Sequence, residues 1–174
     1  MEPMETAPGC NHCYERFPAR IVLFRLFLYG LLFASAGVVL SWYRQAAMFG
    51  YWGWSLALIL LVVATVCRHC RYHGKVCDTG LGIVAGKCFP EGGPDPERFV
   101  RAARIVILPF LLLLAMPLVV GIAAMANLPS ASRVAVFALF CAASVAVIAT
   151  TPLLACPRCK MNDTCPLGPR KYRA

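Results

Sequence analysis

Leu56-Ala57-Leu58-Ile59-Leu60-Leu61-Val62-Val63-Ala64-Thr65-Val66 carries no charge and ends abruptly in Cys67-Arg68-His69-Cys70. Extended back to Met48, the apolar run reaches the ~20 residues a helix needs to cross a hydrocarbon core of ~30 Å. Three further runs do the same: Ile21–Trp42, Ile105–Met125 and Val134–Leu154. The 174-residue chain is 60% hydrophobic and only 14% charged, with a mean hydropathy of +0.68. A soluble domain has about 45–50% apolar and about 25% charged residues. An ordinary water-soluble domain is therefore excluded.

The links Tyr43–Ala47 and Ala126–Arg133 leave room only for tight turns. The predicted fold is an all-α integral membrane protein, with four transmembrane helices arranged as two tandem hairpins. Residues 21–66 and 105–154 form the hairpins. Residues 1–20, 67–104 and 155–174 form an arm, a central loop and a tail, and an even number of spans puts all three on one face. Gly30/Ala34 and Ala142/Ala146 are small residues at the spacing that favours close helix packing. Arg25, one turn into the first run, is expected to snorkel back to the headgroups.

Of 17 Lys and Arg residues, only Arg44 and Arg133 fall in the two turns. The other fifteen lie in or within a turn of the arm, loop and tail. The positive-inside rule makes that face cytoplasmic, with both termini on it, in a cell (inner) membrane. The first run is too long for a signal-peptide core and lacks a small-residue cleavage site, so it is expected to be retained. Outside the spans there is no basic helix or aromatic stacking motif, which excludes a nucleic-acid module. The net charge of +9 is read as a topology signal and as contact with anionic lipid.

Nine of ten cysteines belong to the arm, loop and tail: Cys10, Cys13, Cys67, Cys70, Cys77, Cys88, Cys156, Cys159 and Cys165. Cys141 alone is mid-span and reads as a small hydrophobe. Three pairs have the C-x2-C form: Cys10/Cys13, Cys67/Cys70 and Cys156/Cys159. The second pair is followed by Cys77 and the third by Cys165, and a turn-like sequence follows each, Asp78-Thr79-Gly80-Leu81-Gly82 and Pro166-Leu167-Gly168-Pro169. The pattern predicts a degenerate internal duplication, two hairpins each ending in a thiol triplet.

Thiolates select zinc or iron–sulfur clusters, and four complete either site. A cytoplasmic face is reducing, which argues against structural disulfides. S-acylation accounts for single membrane-edge cysteines but not for paired ones. All nine cysteines are therefore candidate ligands of a metal-binding cap. There are enough of them for two four-thiolate sites, with Cys10, Cys13 or Cys88 as the fourth ligand to each triplet. The C-x2-C-then-Cys spacing and the Cys165-Pro166 ending lean toward iron–sulfur, one or two [4Fe–4S] clusters, with zinc as the alternative. Haem is excluded by ligand supply: His12, His69 and His73 all lie outside the spans, and no pair continues as C-x-x-C-H. The three histidines and the glycines around Gly80 read as loop residues, the latter as a tight turn returning the chain to the membrane. Asp95-Pro96-Glu97 reads as the capped start of the third long helix.

The functional expectation is a membrane-anchored iron–sulfur electron-transfer subunit, with any catalytic turnover of its own left open and a non-catalytic role favoured. It would work in a hetero-oligomeric oxidoreductase complex, between a soluble redox protein on the cytoplasmic face and a membrane carrier such as quinone. A thiol-based soft-metal carrier or sensor, and a zinc-stabilised assembly subunit, are the alternatives.

Overall fold

The computed structural model describes residues 13–93, 95–127, 130–161 and 165. Cys10 and His12 lie outside them. Among the described residues there are five α-helices and no strand: α1 Ala19–Ser41, α2 Gln45–Thr65, α3 Leu81–Cys88, α4 Pro96–Asn127 and α5 Ala131–Thr150. Four of these, all but α3, are long and apolar enough to cross a membrane. At 1.5 Å per residue, the 23 residues of α1 span about 35 Å, enough for the hydrocarbon core with little tilt. The 32 residues of α4 give about 48 Å, so its first turns lie beyond the core. As expected, Asp95 caps α4: its Oδ1 accepts the backbone N–H groups of Glu97 and Arg98 at 3.0 and 3.1 Å.

Helix α1 is the centre of the bundle. It packs on α5, α2 and α4, so the first and last long helices are neighbours. Leu32, Ala36, Val39 and Leu40 of α1 meet Tyr51 and Leu58 of α2, Leu113 of α4, and Phe140, Ala143 and Val147 of α5. Outward, the same helices expose Leu23, Phe27, Leu108, Val119 and Ile148. An apolar core with an equally apolar exterior is the pattern of helices that have lipid as solvent. The small residues at the helix contacts differ from those expected. Gly30 has open space beside it, and Ala34 and Ala142 are exposed. The close approaches are at Gly37, against the Trp52 indole, and Gly121, against the Phe137 ring.

At one end of the bundle the N-terminal arm, the central loop and the end of α5 are tied together by backbone hydrogen bonds. Tyr14 N–H donates to Arg158 O at 3.0 Å, and Phe17 N–H donates to Val76 O at 3.0 Å. Under these ties lies a second small core of Phe17, Ile21, Val22, Tyr72 and Ala155. Gly80-Leu81-Gly82, expected to be a simple turn, instead starts helix α3. Gly80 supplies a positive φ of 73° at the N-cap, and the helix packs on the turn at Tyr72–Lys75. A Cβ at Gly82 would collide with the carbonyl oxygens of Tyr72 and Lys75, so only glycine allows that contact.

Candidate functional site

Both long-helix segments that end in a C-x2-C pair close in the same way. Cys67–His69 and Cys156–Arg158 are single 3₁₀ turns. Each is followed by an extended cysteine, Cys70 at φ −87°, ψ 143° and Cys159 at φ −89°, ψ 127°. In both, the second cysteine's N–H returns to the first cysteine's carbonyl, at 3.4 and 3.3 Å. In both, its sulfur accepts the N–H two residues on, from Tyr72 to Cys70 and from Met161 to Cys159. The turn before the second pair has its own cause. Pro152 has no N–H to give to the carbonyl four residues back, and the chain widens into a π turn over Thr151–Ala155 before tightening.

These turns face one another across a cavity of about 410 Å³. Six thiols line it: Cys67, Cys70 and Cys77 from the first triplet, and Cys156, Cys159 and Cys165 from the second. The sequence left one or two sites open, with enough thiols for two; the structure brings both triplets to a single cavity. Cys77 is fixed by an N–H from Gly82 at 3.3 Å and a contact with Thr79 Oγ1 at 3.4 Å, so α3 serves to aim it. The N–H of Cys165 is held by Met161 O at 2.8 Å. Among the described residues no three His, Cys, Asp or Glu side chains stand close enough together to ligate one ion.

The remaining predicted ligands are elsewhere. Cys88 is exposed on α3 and does not line the cavity. Contrary to the expectation that this face carries no disulfide, Cys13 is disulfide-bonded, a form in which its sulfur is not a thiolate ligand. Cys10 lies outside the described residues. Cys141 packs against the bundle core, as expected of a small hydrophobe. His69 and His73 direct Nδ1 to the carbonyls of Gly93 and Cys67, at 3.4 and 3.3 Å, and neither lines the cavity.

Arg25 does not snorkel. It is 1% exposed, beneath the thiol end of the bundle. Nη1 donates to Val147 O, Thr150 Oγ1 and Thr151 Oγ1, at 3.3, 2.9 and 2.8 Å. Nη2 donates to Tyr29 OH at 3.0 Å and pairs with Asp78 Oδ2 at 3.4 Å. One guanidinium thus joins α1, the end of α5 and the residue after Cys77. Asp78 was read from the sequence as part of a turn. The available signal was an unpaired acid in the central loop and an unpaired arginine in a span, two charges that each need a partner at low dielectric.

Burial shapes the electrostatics of the thiol end. It pushes the Cys70 thiol up to about 11 and the Cys159 thiol up to about 12, and the neighbouring sulfurs add to both shifts. Burial also raises the Asp78 carboxyl above its usual range, while Arg25 pulls it back. At neutral pH the metal-free Cys70 and Cys159 thiols are protonated, so a metal binding to them would displace protons.

No family model, characterised protein or solved structure matches the chain. Fold and cavity together define its class: an all-helical membrane protein with four helices fit to span a bilayer and six thiols around one cavity at an end of the bundle.

Proposed function

We propose that the six thiols hold one iron–sulfur cluster and that the protein is a membrane-anchored electron-transfer subunit. The observation that supports this is the convergence of two C-x2-C-plus-Cys triplets, six thiols in all, on a single cavity. The two pairs, Cys67/Cys70 and Cys156/Cys159, supply four ligands, with Cys77 and Cys165 beside them. Such a cluster would supply one-electron redox chemistry. The chain would supply N–H groups to its sulfurs, from Tyr72 and Met161. Hydrogen bonds of this kind stabilise the reduced form and raise the potential.

The matched backbone of the two turns supports an internal duplication, with two hairpins related by an approximate two-fold axis along the membrane normal. The excess of Lys and Arg at the thiol end supports a cytoplasmic cap, in a cell (inner) membrane. Exposed Arg71, Lys87 and Arg158 at that end would steer an acidic soluble oxidoreductase to dock, with an on-rate that falls as salt rises.

One observation favours a second reading. A pair of like-shaped C-x2-C knuckles is the usual frame of a structural zinc, and that would make the protein a zinc-stabilised assembly subunit. Anaerobic purification followed by visible absorption and electron paramagnetic resonance separates the two. The electron-transfer reading expects a brown protein whose band bleaches with dithionite. Zinc as the sole metal, in a colourless protein, would overturn it.

A further inference from the structure

The thiol cavity does not stop at the thiols. It continues into the bundle between α1, α2 and α4, where Phe33, Leu58, Ile59 and Leu113 line it. It reaches the lipid side at Leu26, which lines it and is also 48% exposed. At about 410 Å³ it falls in the range of small-molecule pockets, about 300–1,000 Å³. Its polarity is graded: sulfurs, Asp78 and Thr151 at one end, and at the other carbon apart from the Ser55 hydroxyl.

Tyr29 sits where the two ends meet. Its ring lines the cavity, and its hydroxyl oxygen accepts a hydrogen bond from Arg25 Nη2 at 3.0 Å. Among the described residues no acceptor takes the tyrosine's own proton, which leaves it for a ligand. The hydroxyls of Ser55 and Thr151, by contrast, are spent on backbone carbonyls, Tyr51 O and Val147 O, both at 2.8 Å. Arg25 fixes the Tyr29 oxygen from behind and polarises its O–H. A pocket open to lipid, mostly apolar and offering the Tyr29 hydroxyl as a hydrogen-bond donor beside a thiol cluster selects a lipid-soluble molecule. That molecule needs a neutral, carbonyl-bearing head and an apolar tail.

We infer that this cavity binds a quinone, its ring against Tyr29 next to the thiols and its tail leaving past Leu26 into the bilayer. The quinone's role as electron acceptor rests on the electron-transfer reading above; its occupancy of the cavity does not.

The test titrates a benzoquinone with a decyl tail into purified full-length protein in nanodiscs stripped of native quinone. Bound quinone is counted, and iron and sulfide are assayed in the same samples. Wild type should bind close to one quinone per chain. Tyr29→Phe keeps the ring and removes the donor, so binding should weaken about five- to tenfold, as one hydrogen bond does. Ile59→Trp fills the apolar arm from a half-buried position and should abolish binding. Metal content should not change in either variant. Binding equal in all three proteins, or a decylbenzene without carbonyls binding as tightly as the quinone, would overturn the inference. If Ile59→Trp disturbs folding, Tyr29→Phe decides alone. Iron without quinone binding would refute only this inference; quinone binding to an iron-free, zinc-containing protein would refute only the electron-transfer reading.

Discussion

The two C-x2-C turns share their backbone but not their surroundings. After Cys70 the chain turns through Tyr72–Lys75, sets Cys77, places Asp78 against Arg25 and packs α3 back on the turn. After Cys159, among the described residues, Met161 O holds the N–H of Cys165 directly. The second turn is held by Arg25, through Val147, Thr150 and Thr151 at the end of α5, and by the bonds from Tyr14 N–H to Arg158 O and from Lys160 N–H to Tyr72 OH. Cysteine spacing specifies the turn. A charge buried in a different helix holds the two turns in register, and local sequence patterns do not show that contact.

The strongest way to break the comparison is to remove that charge. Arg25→Leu strands Asp78 and the acceptors at the end of α5, and breaking a buried pair from one side costs about 3–5 kcal/mol. Unfolding in mixed micelles should show a loss of that order. Asp78→Asn should cost clearly less, because the aspartate side chain is 26% exposed and its partner keeps its other acceptors. Equal losses would mean that the ion pair, not the clamp on α5, is what matters.

A smaller effect should separate the turns. Gly82→Ala sets a methyl against two backbone carbonyls, and overpacking of this kind costs about 1–3 kcal/mol. Amide exchange should quicken in residues 72–88 while the second turn stays protected. Uniform quickening across both turns would show that α3 supports the whole end of the bundle.

The protonation of the two turns can be compared by alkylation. Reactivity follows the thiolate. In metal-free protein at pH 8, Cys70 and Cys159 should label far more slowly than exposed Cys88, and the gap should close near pH 11 to 12. The sign of the linkage follows. A thiol raised from 9.0 to about 11 favours the folded form below pH 9 and loses that contribution as pH rises through 11. The metal-free cap should loosen in alkali, and greater stability at pH 11 than at pH 8 would contradict this. The smallest effects belong to Cys88→Ser and Cys141→Ser. Neither should alter metal content, and exposed Cys88 should shift stability by no more than about 0.5 kcal/mol.

Hydropathy alone yields the four long helices, because apolar runs of span length leave few other folds for a backbone that must satisfy its own hydrogen bonds. The capped start at Asp95 was legible for the same local reason. Arg25 was not. Snorkelling is the default for an arginine near a span end, and only the tertiary fold brings Val147, Thr150, Thr151, Tyr29 and Asp78 within its reach. Helix α3 was missed because four glycines between Gly74 and Gly86 read as a loop. Two of them, Gly82 and Gly86, are there for close backbone approach. The triplets were legible as matching motifs, but the number of cavities was not. Spacing along the chain is silent on whether two like turns face each other or stand apart.

Whether they share one centre is therefore the central claim, and metal stoichiometry tests it. Iron, sulfide and zinc per chain should be measured in wild type, Cys70→Ser and Cys159→Ser, with spectra confirming membrane insertion. A single shared centre predicts that either substitution, on its own, removes nearly all the metal. Half the metal remaining in each single variant, and none in the double variant, would show two independent centres and contradict the account.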